Sequence, residues 1–599
     1  MRLILNRASW LVAASAIALL FSISLRTEFL QDDFGWLNLG TRFDAGESLW
    51  KLLFAPMAQG TVRTLSERIP FLVSATLAGL DSVPLRAFHV ALSALNLWIW
   101  YRWLRLKNVA AALSALVLTI WYLNASLVKA HIWTSALNQT FQSLMIGVCL
   151  LLGARKSRLT LPVLVASFFV HELCIFIPVY LVASEGRSIV KTSLWRASVA
   201  LSVVFVVLSR VASSNIATVT YRIVVSPASF ATSLKAYSVI AWPYGSAALV
   251  AALLLIAGCI AIGRNLILPH YRLPLAFMLP LVLYCCLPNI QNGYYLMIPL
   301  LGISLSLGLL LRDLGRHNTL LANGGILACL LLLGLESRTC FPMLQDFQEQ
   351  TNDFSGIIGR VLVEAKRDKT APVIVSGLGR RGYFSGWSDD PLRLFGLDNV
   401  YLSPEEPMEI TDPYEPVWFH SRFVDGQQLR RLMISRKAAF LHIDNGSIDI
   451  LSDAELLRLS RLEVKVGFRT RRLGSPIDVP ETADRGLGTI SSGFSWVEET
   501  FALGVPTDAP NDPHLAFVAY LLTGDRACSL ALLEKEKELR TIPLSPGWGR
   551  YDIGSVNEIQ PGGRLSGHLA AGCKVGLREI HFLERPMRSN KLGELEHSL

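Results

Sequence analysis

Charged side chains are scarce in this chain. They make up 17% of its 599 residues, against 52% hydrophobic ones, a balance that excludes a soluble protein of ordinary composition. The shortage is uneven: apolar runs crowd into Leu11–Leu335, and charge, Gly and Pro return at soluble frequency from Arg338 onward. The nine cysteines contain no CxxC pair, which argues against a cysteine-built metal or redox motif. Six of them (Cys149, Cys174, Cys259, Cys285, Cys286 and Cys329) lie in apolar runs, where cysteine acts as a small apolar residue. A full GxGxxG is missing too, and Gly377-Leu378-Gly379 alone reads as a turn. No repeat of solenoid period appears. The net charge of +9 gathers largely in short loops between spans, where it orients helices, so no nucleic-acid partner is expected.

What the chain does have is a series of about 11 membrane segments, including one re-entrant pair. Arg2 and Arg7 precede the first, Ala8–Leu25, which we read as an uncleaved helix with its N-terminus cytoplasmic. A long outer loop, residues 26–84, carries amphipathic pieces around Leu49–Leu53 and Ile69–Leu80. Later spans are Leu85–Tyr101, Ala110–Leu127, Trp133–Leu152, Leu194–Ala212, Tyr237–Ile262, Leu273–Leu287, Gly293–Leu311 and Leu320–Leu335. Between them, Leu159–Ala183 is flanked by basic loops at both ends (Arg155, Lys156, Arg158; Arg187, Lys191, Arg196) and interrupted by His171-Glu172. Two segments, Leu159–Val170 and Leu173–Ala183, reach only roughly 18 Å each, short of a 30 Å hydrocarbon core. They read as a re-entrant pair with His171 and Glu172 in a water-filled cavity. This alternation puts the C-terminal half outside.

That half divides into a small α/β domain, 339–485, and a β-sandwich of the jelly-roll kind, 486–599. Strands are expected at Ala371–Gly377, Val400–Leu402 and Ala438–Ile443, with helical pieces at Gly426–Ile434 and Asp453–Arg461. Shorter alternating strands follow at Phe494–Leu503, His514–Leu522, Ser529–Leu533 and Val575–Leu583. Trp496, Trp548 and Tyr551 suit either contact with sugar faces or a place in the core or rim. A Cys528–Cys573 disulfide is compatible with an extracytoplasmic domain.

Asp32-Asp33 falls at the mouth of the first span. Acids at a bilayer boundary need water, a partner or a substrate, so the pair is a functional-site candidate. The plainer reading is that Asp33 starts a short helix over Phe34–Thr41, with Asp32 solvated beside it.

One span, an acidic pair, a long outer loop, the stretches Arg68-Ile69-Pro70-Phe71 and Leu85-Arg86-Ala87-Phe88-His89, the His171-Glu172 break followed by Ile177-Pro178, and a late outer turn Asn292-Gly293-Tyr294-Tyr295-Leu296 together resemble the GT-C superfamily of membrane glycosyltransferases. The likeness includes protein O-mannosyltransferases and the lipid A aminoarabinose transferase, and covers residues 1–338, a catalytic membrane domain. It implies a polyprenyl-phosphate-linked sugar donor, an extracytoplasmic acceptor, inverting displacement and a bacterial inner membrane location. Asp32 and Asp33 would then be catalytic. Gly293 stands where many relatives place Arg and His171 where many place Lys, leaving Arg222, His171, Lys129 and His131 as candidates for the donor phosphate, with Glu172 partnering His171. A divalent metal is compatible with this chemistry, although His171-Glu172 defines no ligand set. Two other classes fit the composition: a transporter of lipid-linked sugar or polysaccharide, and an inactive GT-C scaffold displaying a glycan-binding domain.

Overall fold

A computed structural model describes residues 2–56, 60–212, 225–241, 272–287, 291–317, 319–369, 371–378, 386–387, 391–397, 399–402, 438–444, 447–450, 468–472, 490–491, 494–497, 500–504, 514–521, 528–534, 537–544, 547–555, 564–570 and 575–583. The chain forms two compact units, Met1–Ser355 and Gly356–Leu599. The first is helical and multi-pass in composition. Among the described residues four helices are long and apolar enough to cross a membrane, and a fifth span arises if Ala111–Tyr122 and Ala125–Ile132, bent by 62°, are one.

The first helix, α1 (Arg2–Ser24), packs against α6 (Ala111–Tyr122). The next, α2 (Asp32–Asp44), lies against α4 (Ile69–Leu77), and α3 (Leu49–Phe54) sits between them in sequence. Helix α5 (Val83–Leu106) packs closely on α8 (Leu137–Ala154). Gly147 permits that approach: a Cβ there would lie 2.8 Å from Ile99 Cγ2 and 3.0 Å from the Trp100 ring. The Trp100 indole N–H then donates to Ser143 Oγ at 3.1 Å, so the buried polar edge of a large ring is satisfied. The short helix α7 (Val128–Ile132) follows α6 after a kink at Leu123–Leu127.

The segment expected to be re-entrant consists of two nine-residue helices, α9 (Thr160–Phe168) and α10 (Ile177–Glu185), separated by a turn that holds His171 and Glu172. At 1.5 Å per residue each reaches only about 14 Å. After α11 (Ser193–Ala212) come α12 (Pro227–Ala241), α13 (Leu279–Cys285) and α14 (Met297–His317). The rest of the expected Tyr237–Ile262 span lies outside the described residues.

Helix α15 (Thr319–Arg367) runs for 49 residues, beyond the expected end of the last span at Leu335 and with Pro342 inside it. Cys340, Leu344, Phe347, Phe354, Ile357, Val361 and Ala365 are buried along it. Their spacing of three, four or seven residues keeps them on one helix face, and their burial outweighs the single hydrogen bond that proline removes.

In the second unit, β1 (Val373–Ser376) pairs in parallel with β2 (Val400–Leu402) and β3 (Ala439–Asp444), and β3 continues antiparallel to β4 (Ser447–Ile450). The expected helical pieces there fall outside the described residues. From β5 (Phe468–Arg472) on, strands are antiparallel. One sheet has the order β11-β10-β13-β8, built from β8 (Thr500–Gly504), β10 (Cys528–Glu534), β11 (Lys537–Leu544) and β13 (Arg564–Leu569). The other has the order β12-β9-β14-β7-β6, built from β6 (Ile490–Ser491), β7 (Phe494–Val497), β9 (His514–Leu521), β12 (Gly547–Ser555) and β14 (Val575–Leu583), with β5 also on β14. Successive strands mostly alternate between the sheets. Buried Cys528, Leu530 and Leu532 alternate along β10, as a strand with one inward face requires. Cys528 is disulfide-bonded, and Cys573 lies outside the described residues.

Candidate active site

The helix breaks of the first unit supply the site. The turns Ala125–Leu127, Thr134–Ala136, Glu172–Phe176 and Gly293–Leu296 neighbour one another or α2, α7 and α13. Asp32 and Asp33 open α2, both in its first turn, where carboxylates oppose the positive end of the helix dipole. The two acids then part company. Asp32 is exposed and Asp33 is wholly buried.

Asp33 is saturated with donors. Its Oδ1 accepts from the Ser135 backbone N–H and from Ser135 Oγ, both at 2.6 Å, and its Oδ2 accepts from the Leu30 N–H at 3.0 Å. Arg86, also fully buried, stands 3.9 Å away. Its Nε donates to the Thr27 carbonyl at 3.1 Å, Nη2 to the Glu28 carbonyl and Nη1 to the Ile132 carbonyl. One ion pair therefore ties the α1–α2 junction to α5 and to the chain between α7 and α8. Burial pushes the Asp33 carboxyl up, opposed by Arg86 and the Ser135 hydroxyl.

A second charged cluster lies at the His171-Glu172 turn. Arg63 donates to both Glu172 oxygens, Nη2 to Oε1 at 2.6 Å and Nε to Oε2 at 2.9 Å, and its Nη1 reaches Glu67 Oε1 at 2.8 Å. Asn138 Nδ2 also donates to Glu67 Oε1, at 2.6 Å. Burial raises the Glu172 carboxyl, but Arg63 and His171 outweigh that and hold it below the usual carboxylate range. His171 is buried; its Nδ1 accepts from the Leu173 N–H at 3.2 Å and its Nε2 lies 3.1 Å from Gln139 Nε2.

The remaining sequence candidates separate. Lys129 is half-buried on α7, its ammonium 6.0 Å from the Trp133 ring centre. His131, two residues on, is buried against Tyr122 with 4.0 Å between ring centres. Arg222 lies outside the described residues. Trp548 and Tyr551 stand on β12 opposite Tyr520 and Phe517 of β9, and Trp496 stands on β7 opposite Gly576 of β14. Among the described residues no group of three or more His, Cys, Asp or Glu is arranged to hold a metal ion.

Sequence reasoning passed over Arg63, Glu67 and Arg86 as single residues. The available signal was a cation and an anion four residues apart, Arg63 and Glu67, in an apolar neighbourhood, and an arginine buried in the first turn of an apolar helix. It also left Gly293 unexplained. A Cβ on Gly293 would lie 2.3 Å from the Ser126 carbonyl oxygen, so the turn sits directly on the backbone of Ala125–Leu127 and admits no arginine. Glu336, buried on α15, holds that lower turn by accepting from Asn124 Nδ2 at 3.1 Å and from the Ala125 N–H at 3.2 Å.

No protein-family model and no curated protein sequence matches this chain. Two solved structures are similar to it, both of the arabinofuranosyltransferase AftD from mycobacteria. One has 11% identity and a TM-score of 0.38, covering 95% of this chain and 58% of that one. The other, a mutant form, has 12% identity and a TM-score of 0.37, covering 96% and 61%. The chain thus spans about three fifths of AftD, and an overlap of this order assigns no chemistry to it.

Proposed function

We propose that the chain is a membrane glycosyltransferase that moves a sugar from a polyprenyl-phosphate donor to an extracytoplasmic acceptor by inverting displacement. One observation carries this reading: the acid pair is divided between a locked carboxylate, Asp33, and an exposed one, Asp32, on the same helical turn. In this account Asp33 is a positioning residue and Asp32 the base. The acceptor oxygen attacks the anomeric carbon and its proton passes to Asp32. The bond between that carbon and the lipid phosphate breaks, and the phosphate leaves as an anion. Lys129 is the cation we assign to it, in preference to His171 and His131, whose rings are buried and held or packed within the protein.

A donor anchored in lipid requires a site at the membrane boundary, which is where the helix breaks and the start of α2 fall in the topology read from the basic loops. With the N-terminus cytoplasmic, that topology places the site and the second unit on the outer side of a bacterial inner membrane. The two antiparallel sheets and the alternation of strands between them support a jelly-roll-like sandwich. The acceptor is a glycolipid, a polysaccharide or a protein.

The test is transfer of labelled sugar from polyprenyl-phosphate donors in membranes carrying wild type or Asp32→Asn at equal protein level. We expect the variant to fold normally and lose at least about a hundredfold in transfer, the scale of a general base. Wild-type rates in Asp32→Asn would end the proposal.

A further inference from the structure

The outer breaks also assemble aromatic rings. Tyr284 and Tyr295 stack with 4.1 Å between ring centres, Tyr294 meets Tyr295 edge-on at 4.5 Å, and Trp133 meets Tyr294 edge-on at 5.7 Å. Lys129 lies at the Trp133 end of this run, its ammonium 6.0 Å from that ring centre. The Trp133 N–H is spent on the Leu30 carbonyl at 3.1 Å, which fixes the ring within two residues of Asp32. Tyr294 and Tyr295 are partly exposed, whereas the rings they meet, Trp133 and Tyr284, are buried. The Tyr284 hydroxyl is buried without a hydrogen-bond partner among the described residues, an arrangement that calls for a ligand or water.

The turn carrying the two tyrosines is rigidly seated. Gly293 presses on the Ser126 carbonyl, and Glu336 caps the turn beneath. An aromatic wall of this kind, with a cation at one end and a carboxylate nearby, suits a sugar ring bearing a phosphate: the C–H face of the ring packs on the rings and the anion meets the ammonium. We infer that Tyr294 and Tyr295, backed by Trp133 and Tyr284, form the subsite for the sugar ring of the donor's glycosyl phosphate, with Lys129 at its phosphate. This rests on the transferase reading above and names the part of the site that reads the sugar.

The test measures equilibrium binding of farnesyl-length polyprenyl phosphates, bare or carrying mannose, glucose or arabinofuranose, to the full chain in detergent. Wild type should bind at least one sugar-bearing lipid about tenfold more tightly than the bare lipid phosphate. Tyr294→Leu and Tyr295→Leu should lose that advantage, and Tyr294→Phe and Tyr295→Phe should keep it. The same sugar lipid should protect Tyr294 and Tyr295 of the wild type from nitration, a readout that survives any misfolding of the leucine variants. In turnover, the leucine variants should raise the donor KM about tenfold with kcat nearly unchanged. No preference for a sugar-bearing lipid, no protection, or a rise in acceptor KM instead of donor KM overturns the subsite. Sugar-dependent binding and protection in a wild type that transfers nothing would support the subsite while removing the transferase reading.

Discussion

The two charged clusters of the membrane unit use the same residue types for different ends. Around Asp33, both partners are completely buried and nearly every bond goes to backbone groups of other segments: Leu30, Ser135, Thr27, Glu28 and Ile132. Around Arg63 the bonds run between side chains, and Glu172 keeps 26% of its side chain exposed. A buried ion pair bonded to backbone fixes where chain segments lie, because a charge left alone there has no solvent to turn to. A partly exposed clasp joins two turns and can be loosened at smaller cost. The first cluster therefore fixes the start of α2, and the second holds the π-helical turn Thr64–Arg68 against the His171-Glu172 turn, aided by Ser66 Oγ donating to the Val170 carbonyl at 2.6 Å.

The largest effect is expected at Arg86. Arg86→Met strands the Asp33 carboxylate and should cost about 3–5 kcal/mol in thermal or denaturant unfolding of the detergent-solubilised protein. Adding Asp33→Leu should recover much of that loss, because the uncompensated charge is gone. Full stability of Arg86→Met alone would show that the pair does not hold the junction.

Next in size is Gly293→Ala. Its Cβ meets backbone that cannot rotate away, so a loss of about 1–3 kcal/mol is expected, together with weaker donor binding as the Tyr294–Tyr295 turn shifts. Arg63→Lys follows. Lysine supplies one point charge where the guanidinium meets two carboxylates, one of them bidentately, and about 1–2 kcal/mol should be lost. Glu172→Gln should have the smallest effect and a distinctive pH dependence. The folded state holds the Glu172 carboxyl below its ordinary value of 4.5. Its contribution is therefore complete above that pH and lost as the pH falls through the lowered value. The stability gap between wild type and Glu172→Gln should be flat from pH 7 to 5, begin to narrow near pH 4 and go on narrowing below it, as followed by unfolding at pH 7, 5, 4 and 3.

Local pattern revealed the parts of this architecture that are themselves local. The expected strand Val400–Leu402 forms as β2 and Val575–Leu583 as β14, because short β-rich runs between turn residues carry their own signal. A helix does follow the acid pair, but it starts at Asp32 with Gln31 as its N-cap and extends to Asp44, so Asp33 lies inside the first turn and does not cap a helix over Phe34–Thr41 as the plainer reading expects. The break at His171-Glu172 was visible as two polar residues in an apolar run. What pattern could not show is which acid is locked, since the partners of Asp33 stand 53 and 102 residues away at Arg86 and Ser135. The 109-residue reach from Arg63 to Glu172 is hidden for the same reason. The length of α15 was legible in principle, in the stripe from Cys340 to Ala365, but Pro342 and the returning charges obscured it.

The most direct measurement sets Asp32→Asn against Asp33→Asn in the labelled-sugar transfer assay, with unfolding followed on the same preparations. Asp32→Asn is expected to lose transfer at wild-type stability, whereas Asp33→Asn loses transfer together with stability. Transfer abolished by Asp33→Asn in a fully stable protein, with Asp32→Asn still active, would contradict these roles and move the reacting carboxylate to the buried position.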